Sequence, residues 1–245
     1  MRRQPLTDTI TQLTRMRIMN AYLVREDDGL TLVDTMMAGS AAGLLAAAAA
    51  SMNAPIRRIA LTHGHGDHAG SLDALRAKLG SDVEVLAPER DARIMAGDRS
   101  LEAGEGSRRL KGSWPKVAAK PDRLLSDGDR VGSLRVVASP GHTPGHVAFL
   151  DLRDNALICG DALHTLGGTT VAGVRNLRFP FVTMATWDPD RAADSARELR
   201  ALQPTLLAPG HGRALREPLA AIDRALERTT TDTRSPARLG GAKSS

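Results

Sequence analysis

Five short apolar runs in this chain each stop abruptly at a histidine or an aspartate. Residues 30–33 run into Asp34, 59–62 into His63, and 134–138 into Ser139-Pro140-Gly141-His142. Residues 156–160 run into Asp161 and 205–210 into His211. Runs of this length, bounded by Gly and Pro, read as buried strands. The polar residues that end them then sit in loops at strand ends, where side chains converge.

Segments of helical period lie between these strands. Residues 41–52 are alanine-rich, and Leu72, Leu75 and Leu79 precede Gly80, a helix stop. Asp188 followed by Pro189 is a helix start, N-cap then first position, with Ala192, Ala196, Leu199 and Leu202 on one face behind it. A last helix aligns Leu219, Ile222 and Leu226. Strands alternating with helices predict an α/β or mixed α+β class, with helices covering the sheet faces. Residues 1–228 are expected to form one domain, and the small polar residues 229–245 a disordered tail. Two stretches, 96–126 and 162–186, read as long loops, which in a compact domain usually carry function.

Composition narrows the class of function. With 42% hydrophobic and 25% charged residues the chain is an ordinary globular one, not a disordered or fibrous one. Its one cysteine, Cys159, excludes an intrachain disulfide and any metal site of several thiolates, and lies in an apolar run as a core residue would. No apolar stretch follows the basic start as in a signal peptide, and the longest such run, 41–50, is far short of the roughly 20 residues a membrane span needs. A cytoplasmic protein with no membrane partner is the expectation. The net charge of +5 would suggest nucleic acid, but residues 1–17 and 228–245 carry +3 each, leaving −1 for the body. Only six aromatic residues are present, too few for base stacking, so no nucleic-acid partner is expected.

The histidines carry the chemistry. His63, His65 and His68 fall within six residues, with Asp67 among them and Gly64 and Gly66 relieving the crowding of so tight a loop. Imidazole and carboxylate are the donors that zinc and similar divalent ions prefer. A lone loop histidine is more often a hydrogen-bonding residue than a ligand. Here His142, Asp161 and His211 end apolar runs as the cluster does, and together the seven are the number expected for two metal ions that share one carboxylate and a water.

The series His63-x-His65-x-Asp67-His68, then His142, Asp161 and His211, with Pro-Gly-His-Thr-Pro-Gly-His at 140–146, resembles the metallo-β-lactamase superfamily of dinuclear metallohydrolases. The match runs in order from Asp34 to His211. It implies a four-layer αββα sandwich with two metals at one edge. His63, His65 and His142 would bind one ion, Asp67, His68 and His211 the other, and Asp161 would bridge them. Asp34 and His146 would orient ligands, and Asp67 would also help the nucleophile shed its proton. Zinc is the expected metal, with manganese or iron as alternatives.

Departures bear on the substrate. β-Lactamases of this family generally have Cys or Ser where Asp161 stands, and glyoxalase II enzymes carry a helical domain for which 34 residues after His211 leave little room. Related lactonases place a Tyr beside the metals, whereas the only Tyr here is Tyr22, in the predicted first strand. Phe179, Phe181, Met184 and Trp187 suggest an apolar pocket wall, with His164 as a further substrate contact. This favours hydrolysis of an ester, lactone or thioester of a small molecule. A β-lactam, a phosphodiester anchored by Arg108, Arg109 and Lys111, or a non-catalytic metal-binding role are the alternatives. Met36 and Met37 read as core or lid packing. Oligomeric state is open.

Overall fold

In the computed structural model, residues 1–52 and 54–232 are described. The first half opens as an antiparallel meander of β1 (Arg2–Pro5), β2 (Ile10–Arg15), β3 (Met19–Glu26) and β4 (Gly29–Val33). It continues through α1 (Ala41–Met52), β5 (Ile56–Ala60), α2 (Gly66–Ala69), α3 (Leu72–Leu79), β6 (Glu84–Pro88), α4 (Glu89–Met95) and β7 (Arg123–Leu125). Strands β4 to β7 pair in parallel, and the seven strands lie side by side in chain order.

The second half begins with β8 (Arg130–Val131), β9 (Leu134–Ala138), β10 (Val147–Asp151) and β11 (Ala156–Gly160), all antiparallel. A small hairpin, β12 (Leu163–His164) with β13 (Thr170–Val171), precedes α5 (Phe181–Ala185) and α6 (Pro189–Ala201). Then β14 (Leu206–Pro209) joins β11 in parallel, β15 (Leu215–Arg216) forms the edge, and α7 (Leu219–Asp232) closes the described chain. The second sheet therefore reads β15-β14-β11-β10-β9-β8.

The period-2 geometry of a strand explains why these runs are apolar throughout. Along β10, Val147 and Phe149 face the first sheet, while Ala148 and Leu150 face α6 and α7. Along β11, Ala156 and Ile158 take the inner face and Leu157 and Cys159 the outer. In β3 and β4, Tyr22, Val24 and Val33 point inward, whereas Leu23, Leu30 and Leu32 pack under α1 and α3. Four apolar clusters result: one between the sheets, one beneath each helical layer and a small one of Ala172, Phe179, Val182 and Ala192. That is the four-layer αββα sandwich that the motifs implied.

Because β4 and β5 are parallel, and β9, β11 and β14 share one direction, their carboxyl ends all open at one edge. Cross-sheet bonds fasten that edge. Asn20 Nδ2 donates to the Pro209 and Gly212 carbonyls at 2.8 and 2.7 Å, and the Val147 N–H to the Thr62 carbonyl at 2.9 Å.

Several expectations are corrected. The last helix runs through Asp232, with Thr229 buried, so the expected start of the tail at 229 falls inside a helix; residues 233–245 lie outside the described residues. The stretch 162–186 is loop for most of its length, as expected, but carries the short elements β12, β13 and α5. Tyr22 lies in the third strand, and its hydroxyl is taken by the Pro209 carbonyl at 2.6 Å, inside the core. No described helix is long and apolar enough to cross a membrane.

Phe149 is wholly buried between the sheets. Phe149→Ala is expected to cost about 3–5 kcal/mol in a denaturant titration, the usual range for emptying an aromatic site. A loss under 1 kcal/mol would show that the two sheets close over the vacated space.

Candidate metal centre

Seven donor side chains gather at the open edge in two groups. His63, His65 and His142 form one, and Asp67, His68, Asp161 and His211 the other, with the ligand atoms of each group all within 4.8 Å of one another. His63 and His65 follow β5, Asp67 and His68 sit on the single turn α2, and His142 caps the β9–β10 connection. Asp161 and His211 follow the parallel pair β11 and β14. The Asp161 carboxylate adjoins both groups: Oδ2 lies 3.4 Å from His142 Nε2 and 3.3 Å from His211 Nε2, and Oδ1 lies 3.4 Å from His68 Nε2.

The surrounding hydrogen bonds decide which nitrogen of each imidazole keeps a lone pair. Thr62 Oγ1 donates to Asp34 Oδ2 at 2.8 Å, so it accepts from His63 Nδ1 at 3.0 Å and leaves His63 Nε2 bare. Thr186 Oγ1 donates to the Val182 carbonyl, so it accepts from His142 Nδ1 at 3.1 Å. His65 gives its Nε2 proton to the Lys111 carbonyl at 3.0 Å, His211 its Nδ1 proton to the Ile18 carbonyl at 2.7 Å, and His68 its Nδ1 proton to Asp34 at 2.8 Å. All five remaining nitrogens face the cluster.

This donor set fits a divalent cation. His65 Nδ1 and His142 Nε2 lie 3.0 Å apart, and with both tautomers fixed by their outer partners, two lone pairs oppose each other. His63 Nε2 is buried with no hydrogen-bond partner, and His68 Nε2 and Asp161 Oδ1 are buried facing each other across 3.4 Å without a well-formed hydrogen bond. Buried polar atoms left unsatisfied cost about 1–3 kcal/mol each, and a cation between them would remove that cost. Each imidazole also has the outer partner that metal-binding histidines characteristically keep.

Electrostatics separates the groups. Burial holds His63, His65 and His142 below the ordinary imidazole range, neutral and ready to coordinate. Burial also opposes protonation of His68 and His211, but the carboxylates of Asp161, Asp34 and Asp67 around them win, raising His68 and pushing His211 up to about 10. Without metal, the second group is therefore an ion-paired cluster whose protons a cation must displace.

Two residues outside the ligand set hold the loops. Asp34, in a left-handed backbone conformation (φ +63°), accepts from the Thr62 N–H at 2.8 Å as well as from Thr62 Oγ1 and His68. Asp91, on α4, was not foreseen from the sequence. Fully buried, it accepts from the Gly64 N–H (2.8 Å), the Gly145 N–H (2.8 Å) and Thr143 Oγ1 (2.7 Å), clamping the His63–His65 loop to the His142 loop. Burial pushes its carboxyl up to about 6 against those three donors. It stands in a helix opening, Glu-Arg-Asp, where acidic residues commonly favour the helix dipole, so no local signal distinguishes it. His146 accepts from the Asp161 N–H at 3.0 Å, and its ring packs against that of His63, with centroids 5.1 Å apart. Gly210 has to be glycine, since a Cβ there would stand 2.2 Å from Asp161 Oδ1.

A cavity of about 700 Å³ opens over the cluster. Phe179 and Phe181 line it, joined by Ile18, Met19, Met37 and Val182, with Asp67, Asp161 and three of the histidines at its floor. Three expected lining residues are elsewhere. Met184 projects from α5 into solvent at 70% exposure, and His164 is sealed in β12 beside the Phe179 ring. Trp187 is buried, with its indole N–H on the Arg108 carbonyl and its backbone N–H on the His142 carbonyl, so it props the His142 loop. Arg108 is spent on Asp188 and Asp190, and neither Arg109 nor Lys111 lines the cavity; Lys116 is its one lining cation among the described residues.

Two outcomes are expected. Asp91→Ala strands three donors and should weaken metal binding about 10- to 100-fold in competition with a chromogenic chelator, with Asp91→Asn recovering part. Unchanged affinity would show that the loops hold themselves. Metal uptake near neutral pH should release protons from His68 and His211 into a weakly buffered solution, and the His211 share should fall to half near pH 10 and vanish above it, where His211 has already lost its proton. Uptake without proton release at pH 7 would overturn the ion-paired description.

Comparison with known proteins agrees with this geometry. The family described as the Metallo-beta-lactamase superfamily matches residues 15–211. The uncharacterized protein YobT of Bacillus subtilis is 41% identical over 224 residues, 90% of this chain and 95% of YobT. A hydroxyacylglutathione hydrolase of Rhodospirillum rubrum is 34% identical over 125 residues, 49% of this chain and 39% of that protein. Among solved structures, TTHA1623 in a di-iron-bound form has a TM-score of 0.61 at 28% identity, covering 86% of this chain and 95% of that one. The matched span carries both donor groups and the strands that deliver them, and on that ground the chain belongs to the metallo-beta-lactamase superfamily.

Proposed function

We propose that this protein hydrolyses an ester, lactone or thioester of a small apolar acyl compound, using two divalent ions held by the two donor groups. The observation that carries this reading is Asp161, whose one carboxylate lies within 3.4 Å of ligand nitrogens from both groups at the floor of the cavity. His63, His65 and His142 would hold one ion and Asp67, His68 and His211 the other, with Asp161 shared. Zinc suits the nitrogen and oxygen donors, as do iron and manganese, and the structurally similar TTHA1623 has been solved in a di-iron-bound form. When bound, such a pair supplies Lewis acidity, polarising a carbonyl and acidifying water so that it attacks near neutral pH.

The chain's own residues supply the rest. Asp67 borders the cavity with its side chain 38% exposed and Oδ2 3.1 Å from His211 Nε2, a position from which its carboxylate can orient a water and accept its proton. Phe179, Phe181, Val182, Ile18 and Met37 offer apolar surface to an acyl group and exclude water from it. With Arg108 engaged elsewhere, the cavity lacks the cluster of cations that a phosphodiester would call for. The similarity to hydroxyacylglutathione hydrolases supports keeping thioesters in the substrate class.

Asp161→Ala should remove metal from both groups together and lower kcat by more than 100-fold, beyond the 10- to 100-fold typical of residues that only orient a ligand. Metal analysis finding one ion retained at full activity would defeat the two-ion mechanism. Across esters or lactones of increasing length, kcat/KM should rise by roughly fourfold per buried methylene, about 0.8 kcal/mol, and more gently in Phe181→Ala. A flat profile together with rapid turnover of a β-lactam or phosphodiester would overturn the substrate class.

A further inference from the structure

The basic residues at the start of the chain do not scatter over the surface. Arg2, Arg15 and Arg17 line a single groove of about 990 Å³, and Arg213, nearly 200 positions later in the sequence, completes it. No Asp or Glu lines this groove, and Arg2, Arg17 and Arg213 form no ion pair among the described residues. Arg15 spends its guanidinium on the Ala38 carbonyl and Ser40 Oγ, which leaves those of Arg2, Arg17 and Arg213 at one concavity without a countercharge; the three repel one another, and an anion between them would relieve that repulsion.

The groove is built rather than incidental. Gln12, buried on β2, gives its Nε2 proton to the Gly212 carbonyl at 3.1 Å and accepts from the Ala214 N–H at 3.3 Å, tying one wall to the other. Thr165 Oγ1 donates to the Arg213 carbonyl at 2.7 Å and fixes that residue's backbone. The turn between β2 and β3, closed by Ile18 N–H on the Arg15 carbonyl at 3.2 Å, places both central residues, Met16 and Arg17, at positive φ (53° and 64°). Such turns favour Asn and Gly, which reach that backbone conformation at little cost. Met and Arg stand there against local preference, as happens where a side chain is needed for function.

The chemistry of the walls selects the ligand. Guanidinium forks match phosphate oxygens in paired hydrogen bonds, and Thr169 also lines the groove. No aromatic residue lines the groove, so nothing there stacks on a base. The groove and the catalytic cavity lie on either side of the 16–18 turn and have no lining residue in common.

We propose that this groove is a binding site, separate from the metal centre, for a small polyanion of phosphate chemistry. Isothermal titration of the metal-loaded protein with pyrophosphate and with ATP tests it, using Arg17→Ala/Arg213→Ala as the comparison, since both side chains are exposed and outside the catalytic machinery. The expected result is saturable binding at one per chain, weakening as salt rises and at least about tenfold weaker in the double variant, whose metal content and ester hydrolysis stay unchanged. Equal affinity for pyrophosphate and ATP makes the phosphates the whole determinant; tighter ATP binding adds an organic portion to the same site. Binding unaltered in the double variant would assign the anion to the metals and overturn the proposal, as would no saturation at millimolar concentration. Affinity that instead grows with the length of a single-stranded DNA would replace it with a nucleic-acid surface.

Discussion

Two imidazole lone pairs, on His65 and His142, face each other across 3.0 Å, and much of this architecture exists to hold that unfavourable arrangement. Left to itself a chain would turn those rings apart or protonate one of them. Here both are buried in the neutral form, and the outer nitrogen of each is committed to an oxygen, Lys111 O for one and Thr186 Oγ1 for the other. Each ring is thereby fixed from its outer side with a lone pair aimed inward, as a cation ligand has to be.

Holding such a cluster takes two sheets. Parallel neighbours bring Asp34 beside His63 in one sheet and Asp161 beside His211 in the other, and the apolar layer between the sheets brings the two edges together. Strand ends deliver the side chains, but they do not fix loops to each other. That falls to buried carboxylates with no ligand role. Asp34 ties the β5 end to α2, and Asp91 ties the first histidine loop to the second. Both are buried and densely hydrogen-bonded, which makes them stiff couplings rather than surface contacts.

The hairpin turn at residues 16–18 serves two surfaces at once. Its Ile18 carbonyl orients His211, and its Arg17 side chain faces the basic groove. The same turn also contributes Ile18 to the apolar wall over the metal cluster. A chain region that reads as a basic N-terminal fringe is in this way an integral part of the site's surroundings.

How much of this was legible in the sequence follows from the range of the interactions involved. The strands that carry ligands were readable because burial on both faces makes a run apolar throughout, and the start of α6 because Asp188 caps it through its own side chain. The clustered donors were readable because His63, His65, Asp67 and His68 are close in sequence, and because a histidine or aspartate ending an apolar run marks a strand end. What tertiary structure alone decided was orientation between distant segments. It turned Trp187 inward to prop the His142 loop and Met184 out to solvent, and it brought Ile18, Met19 and Lys116 into the cavity instead. It recruited Asp91, whose three partners lie 27 to 54 residues away, and it set Arg213 beside Arg17. Periodicity and residue type report which side of an element is buried; which partner waits on that side depends on how two sheets pack, and no local pattern encodes that.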